Sequence, residues 1–544
     1  MRWAEGKYKF VRPVHNILAI LSNELLKFEL MGIQTSKKTQ AHRFLDELIE
    51  IESADSYFNK LREHNVYANH RLRKEKIISD IHEIEEANAV KIPQDEELIE
   101  EVTAITEFPN AVFGQYDKRF LDLPKEVLVT TLKHHQRTFP VLKNEQIIPH
   151  FLSFQDNDKR SEENVKSGYR KVIEARLEDA HFYYQEDLKV SFEKRTWDLK
   201  DIGFQNKLGS LYEKVLRINV LSKEICCNLE IDTENTEYCQ KTSMLMKNDL
   251  TTQMVYEFPE LQGVMGRIYA KIAGEPAEVC QAIEEQYAEN VPETLCGCIA
   301  TLSDNLDTIA GNLLINNIPS GSKDPFGLRR ALTKCLNITI SREWDLDFAK
   351  LFDFALSLYD NVIDENQKKK LSNIFMDLLK NRVEYYLSEK GRDYDVINAT
   401  KHLANNPIRS IFAAEALMNM KDDEDFIVLT RLFERVHNIS KNHTSPLYDS
   451  RLFEYPQENL LEERFNDIRD AVSKALDRYD YQSAMTIIKD LRVHVDNYFD
   501  NVFVMSERED LKLTRLGFLK SLDDFLLKMG NFSEIVQNKE NGHE

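Results

Sequence analysis

The sequence predicts a mainly α, multidomain protein with an α+β region at its N-terminal end. Three observations carry that expectation. After Glu163, apolar residues recur at helical spacing almost without interruption. Residues 8–31 and 147–154 instead mix apolar and polar side chains as half-buried strands do. The chain has 544 residues but only 17 glycines and 14 prolines, too few for long linkers or low-complexity repeats. A chain of that length should hold on the order of three or four domains.

Composition excludes several classes. No run of about 18 apolar residues occurs, so no transmembrane helix is expected. Met1-Arg-Trp-Ala-Glu-Gly-Lys7 lacks the apolar centre of a secretory signal. Seven cysteines, an odd number in a large chain, predict reduced thiols and a cytoplasmic protein. Cys296-Gly-Cys298 is too closely spaced to be half of a zinc site. The net charge of −21 argues against wholesale coating of nucleic acid. Two basic islands stand out on this acidic background. Residues 1–43 carry eight Lys/Arg against three Asp/Glu, and residues 159–176 carry six against three. Such islands either steer a polyanion to one face or are simply solvated.

Taken in order, Tyr8–Leu21 and Leu25–Met31 read as strands joined by a turn at Ser22-Asn23-Glu24. A charged helical segment follows from Asp46 to Ala89, with Leu48, Ile51, Tyr57, Phe58 and Leu61 at helical intervals and Pro93 closing it. Glu107–Gly114 and Leu123–Leu132 mix strand and short-helix signals, and Ile147–Phe154 reads as a strand. His134-His135 could bind metal, but neighbours on a strand face opposite sides and no carboxylate or cysteine signature accompanies them. Helices are then expected at Arg170–Leu188, Val264–Ile272, Asp345–Leu358, Asn366–Leu387 and Pro407–Met418. In the last 120 residues, Ala484, Ile487, Ile488, Leu491, Val495 and Tyr498 form one apolar stripe. Leu511, Phe518, Leu519, Leu522, Phe525, Leu526 and Met529 form another. Arg515 interrupts that second stripe and is expected to snorkel near the helix start. Gln537–Glu544 reads as a polar tail.

Ser320-Gly-Ser-Lys-Asp-Pro-Phe-Gly-Leu-Arg-Arg-Ala-Leu332 is a loop feeding a helix. Asp324 suits an N-cap and Pro325 the first helical position. Lys323 and Arg329 near that terminus could attract a phosphate, or the stretch could be a capped core helix with solvated cations. It is not a P-loop, because Gly-Lys-Ser/Thr is absent.

Lys247-Asn-Asp249 and Ser303-Asp304, both expected in helices, invite comparison with helical metal-dependent phosphohydrolases of the HD type. Those sites need histidines beside the aspartates. Here no histidine lies between His181 and His402, so Asp249, Asp304 and Asp307 read as caps, ion pairs or surface groups. Other hydrolase, dinucleotide, zincin and class I synthetase signatures are also missing. No residue is assigned a catalytic or metal-binding role.

Several ordered stretches together resemble the β subunit of bacterial heterotetrameric glycyl-tRNA synthetase. They are Phe10-Val-Arg-Pro-Val-His15, Ala41-His-Arg-Phe44, Phe120-Leu-Asp-Leu-Pro-Lys-Glu-Val127 and Glu174-Ala-Arg-Leu-Glu-Asp-Ala-His-Phe182. Lys207-Leu-Gly-Ser-Leu-Tyr-Glu-Lys214, Glu257-Phe-Pro-Glu-Leu-Gln-Gly-Val-Met-Gly266 and Gly321-Ser-Lys-Asp-Pro-Phe326 continue the series. Leu491-Arg-Val-His-Val-Asp-Asn-Tyr-Phe-Asp500 with Val504-Met505 resembles the family's anticodon-binding region. Tyr169, Asn248 and the pair Ser303/Asn305 depart from the family's usual Asn, Ala and Ala/Lys. The family also begins before the Phe10 stretch, so an N-terminally incomplete subunit is expected.

That resemblance implies a fold in three parts. Residues 1–190 would resemble part of the body shared with the phenylalanyl-tRNA synthetase β subunit and CCA-adding enzymes. Residues 191–400 would be a degenerate HD-type helical domain without metal ligands, and 401–544 a helical, DALR-like anticodon-binding domain. It also implies a division of labour. The α subunit would use ATP, with Mg, to make glycyl-adenylate in an α2β2 tetramer, while this chain, inactive alone and holding no cofactor, would position tRNA(Gly). Basic residues on helices of the last domain are the tRNA-contact candidates: Arg431, Arg435, Lys441, Arg492 and Arg515. Lys323 and Arg329 are further candidates. The alternatives are a non-catalytic tRNA-binding or assembly protein and, last, an HD-type phosphohydrolase.

Overall fold

The computed structural model describes residues 9, 12, 14–45, 47–205, 207–321, 323–359, 364–421 and 423–536. Much of the Tyr8–Leu21 strand expectation and the whole tail at Gln537–Glu544 lie outside these residues. The chain folds as two units. One runs up to Ser191 and takes in Leu250–Ile268; the other comprises Phe192–Asp249 and Tyr269 onward.

The first unit begins with strands of only a few residues. Ile20–Leu21 pairs antiparallel with Glu24–Leu25 across a two-residue turn in which Ser22 has φ +55°. The turn is where the sequence predicts it, but the flanking strands are much shorter than expected. Ile33–Ser36 pairs parallel with Ile17–Leu18 and antiparallel with Glu29–Leu30. The segment after Asp46 also differs from its helical expectation. Leu48–Glu50 is a strand paired with Lys38–Gln40, and helices start only at Tyr57 and His70. Helix His70–Asn88 ends with Ala89 in the left-handed region, four residues before Pro93.

The centre of this unit is an antiparallel sheet of Pro109–Gln115, Gln146–Asp156 and Phe139–Lys143, with the long strand in the middle. Leu152 and Phe154 pack with Phe139 and Val141 against Ile77, Ile81, Leu98 and Val102. Phe151 points the other way, towards Tyr169 on helix Glu162–Leu188, ring centroids 6.2 Å apart. Being covered on both faces explains why residues 151–155 are buried without alternation. Gly114 pairs with Phe151, and a Cβ there would run into the Phe151 ring. Gly114→Ala is therefore expected to cost on the order of 1–3 kcal/mol in a urea titration, whereas alanine is expected to be tolerated at Gly168, which has open space. His134 and His135 lie in a single π-helical turn, not on a strand. Asp187, at the end of the long helix, accepts the backbone N–H groups of Gln253 and Met254 at 2.9 and 3.0 Å. That carboxylate ties the returning segment Leu250–Ile268 into the unit.

The described residues of the second unit are mainly helical, with a short hairpin of Gly203–Gln205 and Gly209–Ser210 and an isolated antiparallel bridge between Ser320 and Lys323. Helix Leu295–Leu314 is buried nearly all round, as a central helix must be. One continuous core runs from Leu208 to Ile535. Its aromatic contacts include Phe352 stacked on Phe375 at 4.1 Å and Phe433 on Phe532 at 4.0 Å. Cys239 and Cys296 meet in this core as thiols, sulphurs 3.2 Å apart. Both C-terminal stripes face inward. The first is carried by two helices, Tyr481–Ile488 and Arg492–Asn501, joined by a 3-10 turn at Lys489–Leu491 that keeps the stripe in register.

Candidate functional site

The most concentrated charge in the second unit sits where helices Leu211–Asn228 and Leu295–Leu314 meet. The first helix starts in a capping box between Ser210 and Glu213, which fixes where Lys214 and Arg217 fall one turn later. Lys214 Nζ lies 3.0 Å from Asp307 Oδ2 and 2.8 Å from Asp304 Oδ1. Arg217 Nε donates to Asp307 Oδ1 at 2.6 Å. The Tyr359 hydroxyl donates to the same carboxylate at 3.0 Å. Burial, with Asp307 beside it, pushes the Tyr359 phenol above its ordinary pKa, so it stays a neutral donor. Lys247 Nζ closes the far side, 2.7 Å from Asp304 Oδ2 and from Gln286 Oε1.

Asp307, Lys214 and Lys247 are each less than 10% exposed as side chains. Burial alone would raise the Asp304 pKa, but the ammonium groups of Lys214 and Lys247 outweigh it and hold that carboxyl well below the usual range. Asp304 and Asp307 are thus ion-paired, one of the roles expected for them, and their charge is already neutralised by lysine and arginine. Asp249 is fully buried rather than a surface group. Asn248 donates to the Phe192 carbonyl and the Thr196 hydroxyl, both at 2.8 Å. Among the described residues no cluster of three His, Cys, Asp or Glu side chains has the geometry to hold a metal. The sequence predicts these aspartates in helices; Asp304 and Asp307 are, but Asp249 sits in the 3-10 turn Asn248–Thr251. Periodicity could not find Lys214, Arg217 or Tyr359, because the partners are 52 to 93 residues away along the chain.

The loop before Leu328 differs in detail from its sequence reading. Helix Leu328–Ser341 starts three residues later than expected, with Gly327 as N-cap at φ +66°. Pro325 lies in the turn, where Gly327 N–H closes onto the Asp324 carbonyl at 3.2 Å. The Asp324 carboxylate still satisfies the helix start from outside, accepting Leu328 N–H and Arg329 N–H at 2.9 Å each. Lys323 is exposed and Arg329 half-buried, and neither forms an ion pair among the described residues.

The C-terminal candidates divide into three kinds. Arg431, on helix Glu424–Ser440, is exposed and has no ion pair among the described residues. Lys441 is exposed, and its ammonium donates to Asn438 Oδ1 at 3.0 Å. Arg435 and Arg492 share Asp496, and Arg435 also lies over the Phe499 ring. Arg515 is the correction. Its guanidinium is 3% exposed, not snorkelling, and it donates to Glu458 at 2.7 and 3.3 Å and to the Phe503 carbonyl at 3.0 Å. It offers no edge to an outside ligand. Phe503, 72% exposed, and Val493, 63% exposed, present apolar surface that charge-based reasoning missed. In the sequence Phe503 sits in the short apolar run Val502–Met505 between two helices, which reads as core rather than as exposed surface.

Comparison with known proteins gives this geometry its context. A family model described as glycyl-tRNA synthetase beta subunit matches residues 1–402. The glycine–tRNA ligase beta subunit of Thermotoga sp. (strain RQ2) is 41% identical over 540 residues, covering 99% of this chain and 79% of that protein. The beta subunits of Clostridioides difficile (strain 630) and Bacillus subtilis (strain 168) are 36% and 32% identical, each over 98% of this chain and 78% of their own length. The chain belongs to the glycyl-tRNA synthetase β-subunit family, and so to the aminoacyl-tRNA synthetases that serve translation. No helix among the described residues is long and apolar enough to cross a membrane.

Proposed function

We propose that this chain binds tRNA(Gly) in the cytoplasm and positions it for glycylation at the active site of a partner α subunit. The assembly is an α2β2 tetramer, ATP and Mg are used on the α subunit, and this chain alone is inactive. The observation that carries this reading is the match to beta subunits along 99% of the chain. The charge network supports it, since the carboxylates that would invite hydrolytic chemistry are already held by Lys214, Arg217 and Lys247. Residues 1–190 serve as a synthetase-like body, 191–400 as an HD-like scaffold and 401–544 as a DALR-like anticodon reader. Phosphates meet the cations without carboxylate partners, namely Lys323, Arg329, Arg431 and Lys441, while Arg435 and Arg492 must be drawn from Asp496. Phe503 supplies a face for a splayed base.

The test is reconstitution with a cognate α subunit, followed by glycine attachment to tRNA(Gly) and tRNA affinity across a salt series. Arg431→Gln is expected to weaken binding whatever the anticodon and to lower the salt slope by about one. Phe503→Ala should weaken binding without changing the slope. A pair that assembles and binds tRNA but never charges it would leave the non-catalytic adaptor instead.

A further inference from the structure

The first unit contains a cleft of about 360 Å³ between the end of strand Gln146–Asp156 and helix Glu162–Leu188, and no role above uses it. Its rim carries an unusual exposed stack. Phe44 stacks on buried His42 at 5.5 Å, and the Arg43 guanidinium lies over the Phe44 ring at 5.0 Å. Both remain open to solvent, Phe44 at 57% and the Arg43 side chain at 70%. Arg43 is only loosely tied to Asp156, 3.9 Å from Oδ2, while Oδ1 of that carboxylate accepts Glu107 N–H and Phe108 N–H at 2.7 and 2.8 Å. The opposite wall is Tyr169, held by its hydroxyl on the Phe154 carbonyl at 3.1 Å, with half-exposed Val172 beside it.

The floor carries a second, independent feature. Gln155 lines the cleft and is 4% exposed. Its Nε2 donates to the Asp158 carbonyl at 3.1 Å, which fixes the amide orientation. Its Oε1 is buried and has no partner among the described residues. An orphaned buried acceptor is costly, and this one leaves a hydrogen-bonding position open at the cleft floor. Gln136 and Asn157 add amide groups to the same lining. The cleft-facing side of the helix carries Val165, Gly168, Tyr169 and Val172, while Lys166 and Arg170 of the second basic island pair with Glu163 and Glu174 on its other faces.

A flat cationic stack, an unmet acceptor and further amides together describe one kind of ligand. We propose that this cleft takes an unstacked nucleobase of a single-stranded RNA segment. The base lies against the Arg43–Phe44 stack, an N–H of its edge donates to Gln155 Oε1, and its phosphate meets Arg43. This rests on the reading of the chain as a tRNA binder, and it adds a base-binding site in the first unit to the C-terminal candidates of the second.

The experiment uses the full chain assembled with its α subunit, and two probes: tRNA(Gly) and a short single-stranded RNA hexamer. Phe44→Ala should weaken hexamer binding about tenfold with an unchanged salt slope, as loss of a stacking face does. Arg43→Gln should weaken it and lower the slope by about one. Photocrosslinks from a 4-thiouridine hexamer should map to peptides containing Phe44 or Tyr169. Both positions at the rim are exposed, so these variants fold. Unchanged hexamer and tRNA affinity in both variants, with crosslinks elsewhere, would overturn the cleft while leaving tRNA binding intact. If the unaltered assembly binds the hexamer here but not tRNA(Gly), the cleft stands and the wider reading falls.

Discussion

Asp307→Leu is expected to destabilise the second unit by on the order of 3–5 kcal/mol, the range for stranding a buried charge by removing its partner. The reason is arithmetic of charge rather than lost contacts. Asp307 is 2% exposed and receives both Lys214 and Arg217. Without it, Arg217 keeps its buried position with no carboxylate, and Lys214 keeps only Asp304. Peptide-level hydrogen exchange is the suitable readout, because a two-unit chain need not unfold in one step. Amides of Leu211–Asn228 and Leu295–Leu314 should lose protection while those of Pro109–Gln115 do not. Replacing all three with apolar residues should recover much of the loss, because the penalty lies in the unpaired charges. The network also sets an acid limit. Asp304 has a folded pKa below its unfolded value, so its contribution is complete above the ordinary aspartate pKa of about 4. It is lost as pH falls below that towards the folded value. Asp304→Asn should be less stable near neutrality and show a shallower decline on acidification.

How far the sequence could be read follows from how local each feature is. The helical stripes of the last 120 residues were legible because one residue in three or four carries the signal, and every stripe residue from Leu511 to Leu526 is buried as expected. The helix expected over Pro407–Met418 runs from Pro407 to Met420, with Asn406 as its N-cap. The short N-terminal strands were not legible, because Leu21, Leu26, Phe28, Leu30 and Met31 are all exposed and carry no clean inside–outside alternation. Pro325 misled for a chemical reason. Its fixed φ suits a turn as well as a helix start, and Gly327 can take the left-handed cap that only glycine adopts freely. At the site, the absence of histidines was visible in the sequence, but what replaced them was not. Lys214 and Asp307 are 93 residues apart, and no spacing rule joins them.

Arg515 shows the same blindness from the other side, and it supplies the second large expected effect. A cation inside an apolar stripe was readable as a residue reaching for solvent or for a ligand. In the fold it reaches inward to Glu458, which is 0% exposed and already accepts Glu454 N–H and Tyr455 N–H at 2.7 and 2.8 Å. Those two bonds cap helix Pro456–Asp477, so the carboxylate must stay in place for the helix start to hold. Arg515→Leu would leave that anion buried with no counter-charge and strip the Phe503 carbonyl of its donor. The expected cost is again on the order of 3–5 kcal/mol, read as faster hydrogen exchange in Pro456–Asp477 and Glu509–Leu526. Arg515→Lys separates the two roles. A lysine keeps the charge but cannot reach both Glu458 oxygens and the carbonyl as a planar fork does. If Arg515 is an internal clamp, the lysine variant should lose much of the same protection. If it were a phosphate contact, that variant would keep both its protection and most of its tRNA affinity. A Glu458→Gln, Arg515→Met double variant should lie closer to the unaltered chain than Arg515→Leu does, because it leaves no charge stranded.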